Sequence, residues 1–172
     1  MEKQYRLAGY VKLAKLWDKN KEQAVELHNK YFQEKCEYDN RFTLQGVYVD
    51  ITGNKHIYKR REMVRLLRDC KLGKIDLIMT QTRAYLAPNS EEFCFLIKFI
   101  SEIGRKVDLI TADDDRRIDT LLNTESQKES LLKMAETYVA LERKEYDRWR
   151  ENILKAMNEI AGTEEVTLYN ER

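Results

Sequence analysis

Residues 59–80 read KRREMVRLLRDCKLGKIDLIMT, and two periodicities meet inside them. Met63, Leu66, Leu67 and Cys70 fall at i, i+3, i+4 and i+7, an apolar stripe that predicts an amphipathic helix. Gly73 follows as a C-terminal cap, because glycine takes the left-handed conformation that ends a helix without steric penalty. IDLIMT from Ile75 then has the apolar, β-branched character of a strand. A helix passing directly into a strand is half of a β-α-β crossover.

Outward from this unit the pattern repeats. LAGYVKL from Leu7, LQGVYVDI from Leu44 and VDLIT from Val107 read as further strands. Between the first two, Asn20 with Gln23 resembles a capping box, and Ala24, Leu27, Tyr31 and Phe32 recur at helical spacing. After Pro88, Asn89 with Glu92 opens a helix carrying Phe93, Leu96, Ile97 and Ile100, and Gly104 closes it. The order β-α-β-α-β-α-β implies an α/β fold: an open, mainly parallel sheet of four to five strands with helices on both faces. Ligands on such sheets sit at the carboxyl ends of the strands, so the segments of interest follow Leu13, Asp50, Thr80 and Thr111.

Composition narrows the class. With 31 Lys and Arg against 30 Asp and Glu, no overall field draws in nucleic acid or anionic membrane, so any basic surface is local. The most apolar run, FCFLIKFI at 93–100, is too short to span a membrane and contains Lys98. A soluble cytoplasmic protein is expected, with no membrane partner. Cys36, Cys70 and Cys94 occur singly, which suits core packing better than a metal or redox pair.

From Thr124 to about Ile160 neither Gly nor Pro interrupts a helical pattern, and Ala135, Tyr138, Tyr146, Trp149, Ile153 and Ile160 form a stripe. A helix of about 37 residues would span roughly 55 Å, so part of it is expected to leave the domain. Glu142 interrupts the stripe between Tyr138 and Tyr146. The expectation is a self-associating helix, with Ala135, Tyr138, Tyr146, Trp149 and Ile153 on the dimer face. A solvated helix, or one folded back on its own domain, are the alternatives. This divides the chain into an α/β domain at 1–122, a long dimerisation helix at 123–161 and a short acidic tail at 162–172.

The opening RLAGYVKLAK resembles the first strand of the resolvase and invertase family of serine recombinases, R-L-x-G-Y-x-R-V-S, through Arg6, Leu7, Gly9 and Tyr10. VYVDITGNK is similar to that family's second strand and following loop, with Asp50 on its acidic position. KRREMVRLLRDCKLGKIDLIMT resembles its R-P-x-F-x-x-L-L-x-D-x-x-x-G-K-I-D-x-I through Arg60, Leu66, Leu67, Asp69, Gly73, Lys74, Ile75 and Asp76. IDTL at 118–121 and AETYVALERKE resemble the family's I-D-T and the start of its long helix.

The resemblance implies a cofactor-free serine that attacks a DNA phosphodiester, helped by arginines that stabilise phosphoryl charge. Here the family's catalytic positions fall on Lys12, Ala14, Asp50, Arg60, Tyr85 and Pro88, so the serine and two arginines are absent and no catalytic set is intact. Arg83 reaches the first arginine position only by a two-residue gap. Thr80, Thr82 and Tyr85 are the candidate substitute nucleophiles, with packing the favoured role for Tyr85.

Lys12, Lys55, Arg60, Arg61 and Arg65 are candidate phosphate-binding residues, set against the ordinary meaning of a solvated charged face. Asp50 and Arg60 could face each other as a remnant of the pocket. His56 stands alone, and neither a metal nor a cofactor is expected. Family members continue into a DNA-reading domain, whereas only TEEVTLYNER follows Gly162. The expected function is a catalytically inactive recombinase-like protein of a mobile element, a homodimer or higher oligomer that pairs with itself or with an active recombinase and touches DNA weakly. A divergent active recombinase or nuclease and a non-catalytic DNA-binding module are the alternatives.

Overall fold

Leu7, Ala8, Tyr10 and Val11 are all fully buried, and a strand that is apolar on both faces belongs in the middle of a covered sheet. In the computed structural model, which describes residues 4–103, 106–112 and 125–170, that strand is β1 (Tyr5–Leu13). It lies between β2 (Phe42–Ile51) and β3 (Leu77–Thr80), with β4 (Asp108–Thr111) beyond β3. All pairings are parallel, in the order β2-β1-β3-β4. The expected α/β architecture is present, with four strands among the described residues.

The helices divide between the two faces as right-handed crossovers require for this strand order. Helix α1 (Lys21–Tyr38) covers one face, where Phe32 packs with Leu7, Val11, Leu77, Met79 and Ile110. Helices α2 (Arg61–Lys71) and α3 (Ser90–Glu102) cover the other, over Ala8, Tyr10, Tyr48, Ile78 and Leu109. Met63, Leu66, Leu67 and Cys70 are buried as the stripe predicts. Gly73, at φ 78°, ends α2 with a 6→1 bond from Lys74 N–H to the Asp69 carbonyl and a 5→2 bond from Gly73 N–H to the Cys70 carbonyl.

Helix α1 departs from its sequence reading. Leu27 is 64% exposed, and the Asn20 side chain caps nothing. A 3-10 turn at Lys15–Asn20 runs straight into α1, holding Asn20 at φ −125°, ψ 34°, outside the extended conformation of a capping residue.

The C-terminal helix also differs. It is two segments, α4 (Glu125–Leu141) and α5 (Arg143–Asn170), broken at Glu142, the charge that interrupts the stripe. The stripe does not leave the domain. Ala135, Tyr146 and Ile153 are fully buried and Trp149 is 5% exposed, all in one cluster with α2, α3 and the sheet. The Phe95 ring lies 5.4 Å from Tyr146 and 5.8 Å from Trp149, and the Tyr146 hydroxyl donates to Glu102 at 2.9 Å. One residue separates segments of about 26 and 42 Å. The helix continues to Asn170, past the expected end near Ile160. Gly104 and the run at 118–121 lie outside the described residues. No helix among the described residues is long and apolar enough to cross a membrane.

Gly9 sets how closely α1 can approach. A Cβ at this position would lie 2.6 Å from the Phe32 ring. Gly9→Ala is expected to cost about 1–3 kcal/mol, as overpacking does, and the cost should shrink in a Phe32→Leu background. Urea unfolding of the four proteins of that cycle measures both.

Candidate functional site

Strand order reverses direction at β1, which places the ligand crevice of an open α/β sheet at the carboxyl ends of β1 and β3. Ala14 follows β1 directly and is exposed. The loop after β3 brings the 3-10 turn Arg83–Tyr85 to the same edge. Tyr85 is partly buried and packs against the clusters on both faces, so its ring covers the end of the sheet. Pro88 is exposed, just before α3.

Asp50 stands next to last in β2 and is 5% exposed. One carboxylate oxygen accepts the Tyr10 hydroxyl and the Met63 N–H, each at 2.9 Å, and the other accepts the Glu62 N–H at 2.9 Å. These two N–H groups belong to the first turn of α2, so Asp50 caps that helix from a neighbouring strand and places negative charge at its positive end. Lys12 sits opposite Asp50 in the β1–β2 register and is half-buried.

Arg60, just before α2, is 2% exposed. Its guanidinium donates to the Tyr85 carbonyl at 2.7 Å, the Leu86 carbonyl at 3.4 Å and the Lys55 carbonyl at 2.8 Å, while Nε has no partner. The side chain ties the loop after β2 to the loop after β3. Asp50 and Arg60 make no direct ion pair; they meet through Tyr10, whose hydroxyl is held by Asp50 and feels the Arg60 charge. Burial first, then Asp50, pushes the Tyr10 phenol well above its ordinary range, with Arg60 opposing.

Of the other candidate phosphate ligands, Arg65 pairs with Glu62 at 2.6 Å and lies 4.3 Å over the Tyr48 ring. Lys55 and Arg61 are exposed. The structure therefore engages Arg60 and Arg65 within the protein, leaves Lys55 and Arg61 exposed and keeps Lys12 half-buried. Arg83 stacks over the Phe93 ring at 4.8 Å. Among the alternative hydroxyls, Thr80 is fully buried and donates to the Tyr10 carbonyl at 2.8 Å. The Thr82 hydroxyl accepts the Ala84 N–H.

Sequence reasoning missed Glu92. The Asn89 cap forms, its side chain accepting the Glu92 N–H at 2.9 Å, but the Glu92 carboxylate does not reach back to Asn89. It is 5% exposed and accepts the Ile57 N–H at 3.2 Å and the Trp149 indole N–H at 3.0 Å, with His56 Nδ1 at 3.3 Å. One carboxylate thus joins the loop after β2, α3 and α5. The signal is an acid set directly before the apolar run Phe93–Ile97, and its spacing from Asn89 reads as local capping. No three His, Cys, Asp or Glu side chains gather as a metal site among the described residues.

No protein-family model and no curated protein matches the chain, and the likeness to known proteins lies in three dimensions. The N-terminal catalytic domain of TP901-1 integrase superposes with a TM-score of 0.59 at 16% identity, over 81% of this chain and 97% of that one. The C-terminal catalytic domain of ISC1926 TnpA, an IS607-like serine recombinase, does so with a TM-score of 0.50 at 14% identity, over 64% of this chain and 72% of that one. The fold is that of a serine-recombinase catalytic domain. On that fold, Ala14 directly follows the first strand, the strand whose Tyr10 hydroxyl is held by Asp50.

Two outcomes test this geometry. Asp50→Asn removes the charge from the α2 terminus and is expected to destabilise the fold by about 1–3 kcal/mol in urea unfolding. At high pH the folded chain keeps Tyr10 protonated while the unfolded chain ionises it, so the folded state binds more protons. Stability should therefore be complete below about pH 10 and fall as pH rises beyond it, more shallowly in Tyr10→Phe. Denaturation series across that range measure the slope.

Proposed function

We propose that this chain is a serine-recombinase-type domain without strand-transfer chemistry, acting by association with a second copy or with an active recombinase of the same mobile element. The observation that carries the proposal is Ala14 at the end of β1, in the crevice where this fold would present a nucleophile. Loss of the nucleophile of a comparable catalytic set costs on the order of a millionfold in rate. The nearby hydroxyls offer little replacement: Thr80 is fully buried, and Tyr10 is buried with its ionisation suppressed. Arg60 donates to three backbone carbonyls and its unpartnered Nε is buried, so the guanidinium is committed to the protein rather than presented to a phosphate.

Association needs a surface other than the buried stripe. On α4, Met134 and Leu141 are 49% and 77% exposed, and Tyr138 is partly buried between them at i+4. That edge is the proposed contact. DNA contact, where it occurs, is weak and runs through Lys12, Lys55 and Arg61.

In light-scattering chromatography the chain is expected to self-associate at concentrations of about 10–100 μM, and Met134→Asp with Leu141→Asp should weaken this at least about tenfold. A monomer throughout that range overturns self-association. Supercoiled plasmid bearing the DNA that flanks the gene should form no detergent-resistant adduct with the chain or with its Ala14→Ser variant. An adduct on the unaltered chain would sink the claim of inactivity.

A further inference from the structure

Helix α5 packs beside the loop after β2 and the start of α2, and the three line an open cleft. The cavity is about 610 Å³, within the range of small-molecule sites. Val64 and Ile160 are buried beneath it, and the partly buried Tyr58 and Ala156 supply its apolar surface. Its exposed rim carries Lys59, Arg61 and Lys155, from three different elements, against the single carboxylate of Glu159. Among the described residues neither Arg61 nor Lys155 has a carboxylate within ion-pair distance, although Glu159 stands one turn from Lys155 on α5. The amides of Asn54 and Asn152 complete the lining from opposite walls.

We infer that this cleft binds a nucleoside monophosphate, its base against Tyr58 and Ala156 within reach of the two amides and its phosphate among Lys59, Arg61 and Lys155. Inorganic phosphate alone would use the rim and leave Tyr58 and Ala156 uncovered. A body with a flat apolar face and hydrogen-bonding edges uses both. The cations lie on opposite walls, so the bound phosphate bridges α5 to the loop that Arg60 and Glu92 hold in place. Binding therefore stabilises the docked position of α5. The site is separate from the crevice at Ala14 and shares with the function proposed above only Arg61, one of the three residues of the weak DNA contact.

Isothermal titration of the full chain with AMP, GMP, CMP and UMP is the test. At least one nucleotide should bind with Kd below about 1 mM and at least about tenfold more tightly than inorganic phosphate. Arg61→Ala and Lys155→Ala, both exposed, should each weaken binding about tenfold, while Lys15→Ala should not change it. Saturating nucleotide should raise the melting temperature of the chain and not that of the Arg61→Ala/Lys155→Ala double variant. Three results overturn the inference: no binding by any of the four, inorganic phosphate binding as tightly as the nucleotides, or a short DNA duplex bound through Arg61 and Lys155 that no nucleotide displaces.

Discussion

The Asp50 carboxylate holds the sheet and the helices in register with one another. It stands next to last in β2, caps the first turn of α2 and accepts the hydroxyl of Tyr10 from the central strand, all within a buried site. A buried carboxylate is costly unless its lone pairs are filled, and three donors from two elements fill these. Because the donors are fixed, so is the angle at which α2 leaves the loop. Arg60 is then carried to the point where its guanidinium reaches carbonyls on both loops. The edge of the sheet near Ala14 takes its shape from this pair of buried charged groups.

Such a network changes the meaning of individual residues. Asp50 and Arg60 match the recombinase pattern in sequence, and a match of that kind suggests a surviving fragment of chemistry. In the structure each already has structural partners. The guanidinium donates to three backbone carbonyls, and the carboxylate accepts a phenol and two amides, so both side chains are engaged in holding the fold. Residue identity alone cannot distinguish these roles, because the same side chain serves either one according to the donors and acceptors around it.

The fold was legible for a definite reason. Parallel strands buried on both faces write themselves as apolar runs, as IDLIMT and VDLIT do, and α2 writes a clean stripe closed by Gly73. These signals are local in the chain. What was not legible depends on distant neighbours: that Glu92 would reach Trp149 fifty-seven residues away, that Asp50 would cap a helix it does not begin, and that Leu27 would face solvent. Helical spacing says which residues share a face. It does not say what that face meets.

The C-terminal helix makes the same point with larger consequences. Its stripe was read as an interface because a continuous helix of that length has nowhere to bury it within one small domain. That reasoning assumed continuity, and the sequence already held the exception in Glu142, an acid in phase with Val139 and Tyr146. Burying it would desolvate a charge with no partner; Glu142 stays exposed in the one-residue break, and the segments on either side of it pack on α3 and α2. Burial of Tyr146 and Trp149 against Phe95 and Phe99 then belongs to folding rather than to association. The remaining exposed edge of α4 is narrower and less apolar than the original stripe. Any assembly through it would join folded monomers and exchange less surface than a dimer whose core is the helix itself, so its strength should depend on concentration.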